Sequence, residues 1–361
     1  MSAARRLLLA TGGTGGHIYP ALAVAEEAAA RGVEVAVVGG LGAMEERLCQ
    51  EAGVQFFGVD TGKWDRQRPD PRQALRAASG LRQAVNVVGR LRPDAVVGFG
   101  GFASMPGCFA AWRLRVPLVL HEGNAFPSRV NRWFARAARL FITAQPEALA
   151  HVRARATLVV PFPVRETRME RGAARTALGL PDSTLVTLVM GGSQGSLALN
   201  RAVPEAYEKL AGSGGADALV VVHSTGPRWL REVEARTVGW PAYHPRPYLD
   251  ATAAWSAADL AITRAGVGTL SEAAFHGVPL IMIPLPTAAE DHQSHNARAV
   301  AAAGAGLVVK ESKAATALPD AWAKALDPAW RRSAAAAAAV RTPAGAARRI
   351  VDAVLETGRE R

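Results

Sequence analysis

The sequence is poor in cysteine. Only Cys49 and Cys108 occur in 361 residues, far apart and in no spacing that metal ligation uses. This argues against a disulfide scaffold and a cysteine zinc site, and for a reducing compartment. Long apolar runs are also missing. Arg5-Arg6 precede only Leu7 to Ala10 before glycines begin, too short a run for a secretory signal, and no stretch reaches the roughly 18 apolar residues of a membrane span. Acidic groups are in deficit: 31 Asp and Glu against 42 Lys and Arg leave a formal charge of +11. Such an excess suits an anionic partner, whether nucleic acid, an acidic membrane surface or a phosphorylated ligand. No G-x-x-x-x-G-K-[ST] stretch occurs, which excludes a P-loop kinase. No G-x-S-x-G elbow occurs, so a hydrolase of that type has no nucleophile.

What is present is an apolar, glycine- and proline-punctuated chain, long enough for two domains with real cores. Its organising stretch is Ala10-Thr11-Gly12-Gly13-Thr14-Gly15-Gly16-His17-Ile18-Tyr19-Pro20. The apolar run Leu7–Ala10 leads in and an Ala-rich helical pattern to Arg31 leads out, which reads as strand, glycine turn, helix. Glycines permit backbone geometry that a Cβ forbids and let a ligand approach the main chain. The helix start offers unpaired N–H groups to an anion. His17, at the rim, can exchange a proton near neutral pH. A turn that is glycine-rich for packing alone is the alternative.

Short apolar strands alternate with helices throughout: Leu7–Ala10, Val33–Val38, Val54–Gly58, Ala95–Phe99, Leu118–His121, Leu140–Ile142 and Leu158–Val160. That pattern predicts a parallel sheet covered on both faces. Pro161-Phe162-Pro163 and the charged stretch to Arg175 read as a linker. The pattern restarts at Leu185–Met190, followed by a second glycine turn, Gly191-Gly192-Ser193-Gln194-Gly195-Ser196, and a helix. Strands at Leu219–His223, Leu260–Thr263, Leu280–Ile283 and Leu307–Val309 complete a second α/β half. The expectation is two domains with a cleft between them, ligands binding beyond the carboxyl ends of the strands. A nucleotide-dependent dehydrogenase is disfavoured. Gly12–Gly16 miss the G-x-G-x-x-G spacing, and the second strand ends at Gly39-Gly40 with no carboxylate for a ribose.

In the second half, Thr263-Arg264-Ala265-Gly266-Val267-Gly268-Thr269-Leu270-Ser271-Glu272 reads as a strand end, a glycine turn and a helix start. Glu272 is either a carboxylate for a vicinal diol such as ribose or a helix-dipole residue. The polar knot Glu290-Asp291-His292-Gln293-Ser294-His295-Asn296 opens another helix, with amides suited to sugar hydroxyls. Asp291, His292 and His295 lack a second cluster to complete a metal site, and no metal or cofactor is expected.

These stretches occur together and in order with Gly98-Phe99-Gly100-Gly101-Phe102, His121-Glu122-Gly123-Asn124 and Pro163-Val164-Arg165. As a set, across nearly the whole chain, they resemble the MurG family of bacterial UDP-N-acetylglucosamine transferases. The resemblance implies the GT-B class: α/β, two Rossmann-like domains with parallel sheets facing across a cleft. Residues 1–163 would form the acceptor domain, residues 164–342 the UDP-sugar domain, and a C-terminal helix within 343–361 would pack back on the first. It implies inverting transfer of N-acetylglucosamine from UDP-N-acetylglucosamine to the 4-hydroxyl of the muramyl sugar of lipid I, at the cytoplasmic side of the cell membrane. By matching motif positions, Arg165 and Ser193 would contact the phosphates and the main chain of Leu249 would hold uracil. Glu272 would hold the ribose, Val267, Gly268, Thr269, Leu270 and Ser271 would cup a phosphate, and Gln293 would read the sugar. Thr14, Gly15, Gly16 and Asn124 would line the acceptor side, with His17 as general base. The lack of any D-x-D stretch fits a family that needs no metal. Gly123 and Phe162 depart from the polar residues of many relatives, and Gln293 stands alone where some have two glutamines. Another UDP-sugar transferase of the same class and a non-catalytic nucleotide-sugar-binding scaffold stay open at this point.

Lys63 to Arg92 carries Arg66, Arg68, Arg72, Arg76, Arg82, Arg90 and Arg92 beside a helical stripe of Ala78, Leu81, Val85 and Val88. Trp112-Arg113-Leu114-Arg115 ends another helix. An apolar patch ringed by arginines suits an anionic bilayer; a core stripe with a solvated basic face is the alternative. Nucleic acid is not an expected partner, since no recognised nucleic-acid fold surrounds these arginines.

Overall fold

A computed structural model describes residues 5–62, 71–181, 184–192, 194–212 and 219–358. The chain forms two compact units, one of Met1–Val164 with Gly345–Arg361, the other of Arg165–Ala344.

The first unit is built on seven strands: β1 (Arg6–Ala10), β2 (Glu34–Gly40), β3 (Gln55–Val59), β4 (Ala95–Gly98), β5 (Leu118–Glu122), β6 (Leu140–Thr143) and β7 (Thr157–Val159). They lie in the order β3-β2-β1-β4-β5-β6-β7, and every pairing is parallel. Parallel pairing follows from the apolar runs, which need cover on both faces. One face packs Leu7 and Leu9 against Ile18, Ala21 and Val24 of the helix Gly15–Ala30 and against Ile350, Val351 and Val354. The latter three lie on the last helix, Ala346–Thr357, which an Arg31–Asp352 pair at 2.5 Å ties to the first helix. The other face packs Leu8, Val38 and Val96 against Ala84, Val88 and Ala111. Val88 is buried and Val85 half-buried in that core, so the lower part of the arginine-flanked stripe faces inward; Ala78 is exposed, as are the larger apolar side chains Leu75, Trp112 and Leu114. Arg66 and Arg68 lie outside the described residues.

The second unit holds β8 (Leu185–Met190), β9 (Leu219–Ser224), β10 (Tyr243–Arg246), β11 (Leu260–Thr263), β12 (Leu280–Met282) and β13 (Gly306–Val308). Their order is β10-β9-β8-β11-β12-β13, again all parallel. β10 is absent from the sequence reading. It contains Pro245, tolerated because β10 is an edge strand that pairs only with β9. In each sheet the chain first winds outward on one side of the leading strand and then returns to its other side. The switch points fall between β1 and β4 and between β8 and β11, where a doubly wound sheet opens a crevice for ligands.

Candidate functional site

At the first switch point three loops converge. The turn after β1 holds Gly12 and Gly13 at φ 141° and 89°, values that exclude a side chain without strain. Gly12 also has no room for one, because a Cβ there would sit 2.1 Å from Glu45 Oε1. Buried Glu45 organises this turn: its carboxylate accepts the Gly13 N–H at 3.3 Å and the Gly40 N–H at 3.0 Å. Thr14 caps the helix Gly15–Ala30 by position only. Its hydroxyl is instead paired with His17 Nδ1 at 2.9 Å, while the Thr11 hydroxyl donates to the His17 carbonyl at 2.7 Å. The imidazole is thereby fixed at the helix start.

The loop after β4 passes directly over this histidine. Gly101 has φ 74°, and a Cβ there would lie 3.0 Å from His17 Nδ1 and 2.6 Å from the Gly12 carbonyl oxygen. The third loop follows β5. Its anchor is Glu122, buried, whose carboxylate accepts from the Asn124 N–H (3.0 Å), Asn124 Nδ2 (3.0 Å), the Ser128 N–H (2.8 Å) and Asn131 Nδ2 (3.0 Å). Burial raises its pKa while these four bonds oppose the rise. His121, buried beside Phe99 and Phe162, is pushed down to about 3 by burial and by nearby His17, and is neutral. The structure thus gathers Thr14, Gly15, Gly16, His17 and Asn124 at one crevice end, with Asn124 committed to Glu122 on one side.

At the second switch point the turn after β8 is locked against the loop after β9. Gly195 (φ 74°) would place a Cβ 1.8 Å from the Thr225 carbonyl oxygen, so backbone meets backbone. Beneath them runs a buried chain: Asn200 Nδ2 donates to the Thr225 carbonyl (2.9 Å), Asn200 Oδ1 meets His223 Nε2 (2.9 Å), and His223 Nδ1 meets the Tyr243 hydroxyl (2.7 Å). Burial holds His223 at about 3. Ser193 lies outside the described residues.

After β11, Val267–His276 is a helix from its first residue, with Gly266 as its cap. Val267 to Ser271, expected as a turn, therefore form the first helical turns. The Leu270 N–H already donates to the Gly266 carbonyl at 3.1 Å, so the amides of Val267, Gly268 and Thr269 are the orphan donors a helix start presents. Glu272, further along, accepts the Trp255 indole N–H at 3.1 Å. Its pKa is raised by burial, against the Trp255 hydrogen bond and the charge of exposed Arg165. Gln293 bridges two loops: its Oε1 accepts from Ala265 N (3.1 Å) and Leu285 N (3.0 Å), which directs the donor end of the amide elsewhere. Leu249 is half-buried at the start of the helix Ala251–Ala257 and packs into the core around Trp255. Among the described residues no group of three or more His, Cys, Asp or Glu side chains is placed to hold a metal ion.

Glu45, Asn131, Asn200, His223 and Trp255 are not singled out by sequence. Glu45 lies in the first turn of the helix Met44–Glu51, and only its spatial approach to Gly12 reveals its role.

The model of the glycosyltransferase family 28 N-terminal domain matches residues 7–142, and that of the family 28 C-terminal domain matches residues 186–350. A Deinococcus radiodurans protein described as UDP-N-acetylglucosamine--N-acetylmuramyl-(pentapeptide) pyrophosphoryl-undecaprenol N-acetylglucosamine transferase is 47% identical, covering 96% of this chain and 94% of that protein. A Thermus thermophilus protein of the same description is 41% identical over 84% of this chain and 87% of its own. The crystal structure of Acinetobacter baumannii MurG superposes with a TM-score of 0.80 at 28% identity, covering 98% and 99% of the two chains. The chain belongs to the MurG family. The calicheamicin glycosyltransferase CalG4, at 20% identity and a TM-score of 0.72 over 98% of each chain, shares the fold alone. Both sheets of this MurG-family chain have the Rossmann-like strand order of the GT-B class, and the second family model extends to Ile350, into the helix that packs on the first unit.

Replacing Glu45 by Ala removes the acceptor for two loop amides and leaves the Gly40 N–H buried without it. The variant should unfold at lower denaturant, by about 1–3 kcal/mol, and amide exchange at Gly13 and Gly40 should accelerate. Unchanged exchange there would show that Glu45 does not hold the turn.

Proposed function

We propose that this chain transfers N-acetylglucosamine from UDP-N-acetylglucosamine to the 4-hydroxyl of the N-acetylmuramyl sugar of lipid I, with inversion at the anomeric carbon, giving lipid II for peptidoglycan synthesis. The observation that carries the reading is the pairing of glycine turns with sheet switch points in both units, in a chain 47% identical to a relative described as such a transferase.

The second unit supplies the donor site. The main chain at Leu249 takes the uracil, and Glu272, held by Trp255, takes the ribose hydroxyls. The amides of Val267, Gly268 and Thr269, with Arg165 and Ser193, meet the diphosphate. Leu270 and Ser271 complete that helix start by packing, both being buried. Gln293, its oxygen engaged by two backbone amides, offers its N–H donors to the sugar. The first unit supplies the acceptor site on Thr14, Gly15, Gly16 and Asn124. In the reaction the acceptor oxygen bonds to the anomeric carbon as the bond to the diphosphate breaks, and the electron pair leaves with UDP. Donors already in place stabilise that charge without reorganising. His17, oriented by Thr14, takes the hydroxyl proton.

No described helix is long and apolar enough to cross a membrane. We place the enzyme peripherally on the cytoplasmic face. Exposed Leu75 beside Arg72 and Arg76, and exposed Trp112 and Leu114 beside Arg113 and Arg115, lie on two helices of the first unit that pack on each other. That chemistry suits an anionic bilayer carrying the lipid-linked acceptor.

With radiolabelled UDP-N-acetylglucosamine, a short-chain lipid I analogue and a chelator, product should form. His17→Ala should lower kcat by roughly 10²–10⁴-fold with UDP affinity little changed; equal rates in variant and parent would remove His17 from the mechanism. Glu272 must be ionised to accept two ribose hydroxyls, and burial raises its pKa. UDP affinity should therefore be full at alkaline pH and fall on acidification at a higher pH than an ordinary glutamate would give. Glu272→Gln should bind weakly at every pH, without that limb, whereas a retained limb would assign it to another group. Binding to phosphatidylglycerol vesicles should fall roughly tenfold or more in Arg76→Glu/Arg82→Glu; unchanged binding would refute the patch.

A further inference from the structure

The second unit carries a cavity of about 430 Å³ whose lining residues include none of the glycine turns. The donor loops follow the carboxyl ends of β8, β11 and β12, whereas this cavity is bounded by Asp259 and Pro279, which immediately precede β11 and β12. It therefore opens at the opposite pole of the sheet.

Four guanidinium groups line it: Arg168, Arg171, Arg331 and Arg332. Three are held in place by the protein. Arg168 stacks on the Phe275 ring, 4.4 Å from its centroid, and donates to the Phe275 carbonyl. Arg331 donates to the Leu326 carbonyl at 2.7 Å. Arg171 pairs with Asp259. Asp259, the carboxylate among the lining residues, is already neutralised, because buried Arg175 reaches it at 2.8 Å and it accepts the Val186 N–H at 2.8 Å. Arg168, Arg331 and exposed Arg332 thus bring positive charge that no lining carboxylate balances. His276 also lines the cavity; burial and the charge of Arg168 push it down to about 4, so it enters as a neutral hydrogen-bonding ring. Trp255 forms part of the wall, and its indole N–H donates to Glu272 on the far side.

We propose that this cavity is a second anion site, which takes a phosphate-bearing group between Arg168, Arg331 and Arg332. Arginine forks match phosphate oxygens bidentately, the cationic side chains are preorganised by backbone acceptors and ring stacking, and a cavity of this size admits a diphosphate or a phospholipid headgroup. The assignment goes beyond the transferase reading and does not depend on it.

The test uses the full chain saturated with UDP, so that any further phosphate binding is outside the donor site. Calorimetric titration with inorganic pyrophosphate should reveal one additional site, weakened at least roughly tenfold in Arg331→Ala/Arg332→Ala and by high salt. Arg332→Glu alone, at an exposed position that spares the fold, should weaken it in the same direction. UDP affinity, measured in parallel, should be unchanged in both variants, which separates this result from a failure of the donor-site reading. Phosphatidylglycerol vesicles distinguish the source: if the same variants lose vesicle binding as well, a headgroup is the ligand, and if only pyrophosphate binding falls, the ligand is soluble. No additional isotherm in the parent, or one unchanged in both variants, would overturn the proposal.

Discussion

A diphosphate leaving group gains most from donors that are aimed before the reaction begins. In the reading proposed here those donors are chiefly main-chain amides, and the glycines near them let backbone come close. Gly195 and Gly226 allow two loops to touch backbone to backbone, and the helix Val267–His276 starts with a glycine cap and small residues. In the first unit Gly12 and Gly101 similarly clear space around Glu45 and His17. A single methyl group at Gly12, Gly101, Gly195 or Gly226 collides with backbone or with a fixed side chain.

The supporting layer is polar and buried. Glu45, Glu122 and the Asn200–His223–Tyr243 chain lie under the loops, each accepting or donating to backbone groups that would otherwise be unsatisfied. These groups give loops the fixity of regular elements. The buried histidines His121 and His223 are neutral near pH 7 because burial penalises their charged form. His223 serves as a hydrogen-bonding ring and His121 packs against Phe99 and Phe162, which leaves half-exposed His17 as the imidazole at the rim of the first crevice.

Much of this was legible in the residues. Continuous apolar runs such as Leu185–Met190 announce parallel strands, and the two Gly-Gly turns announce where the sheets open. β10 escaped because Tyr243-His244-Pro245-Arg246 has neither an apolar run nor a full set of N–H donors, and only its edge position permits it. The inward turn of Val85 and Val88 was one of two readings left open, because a helical stripe looks the same whether it meets a core or a membrane. Glu45 and Trp255 escaped because their partners, Gly13 and Glu272, are set by tertiary contact. Val267–Ser271 form helix where a turn was expected, since a glycine at the cap and another inside the helix read alike.

The most direct measurement is a crystal structure of the full chain with UDP-N-acetylglucosamine grown in the presence of chelator. The account predicts the diphosphate against the 191–195 turn and the amides of Val267, Gly268 and Thr269, with Glu272 on the ribose. A nucleotide lodged away from both segments, or one that enters only when a divalent cation is restored, would contradict it.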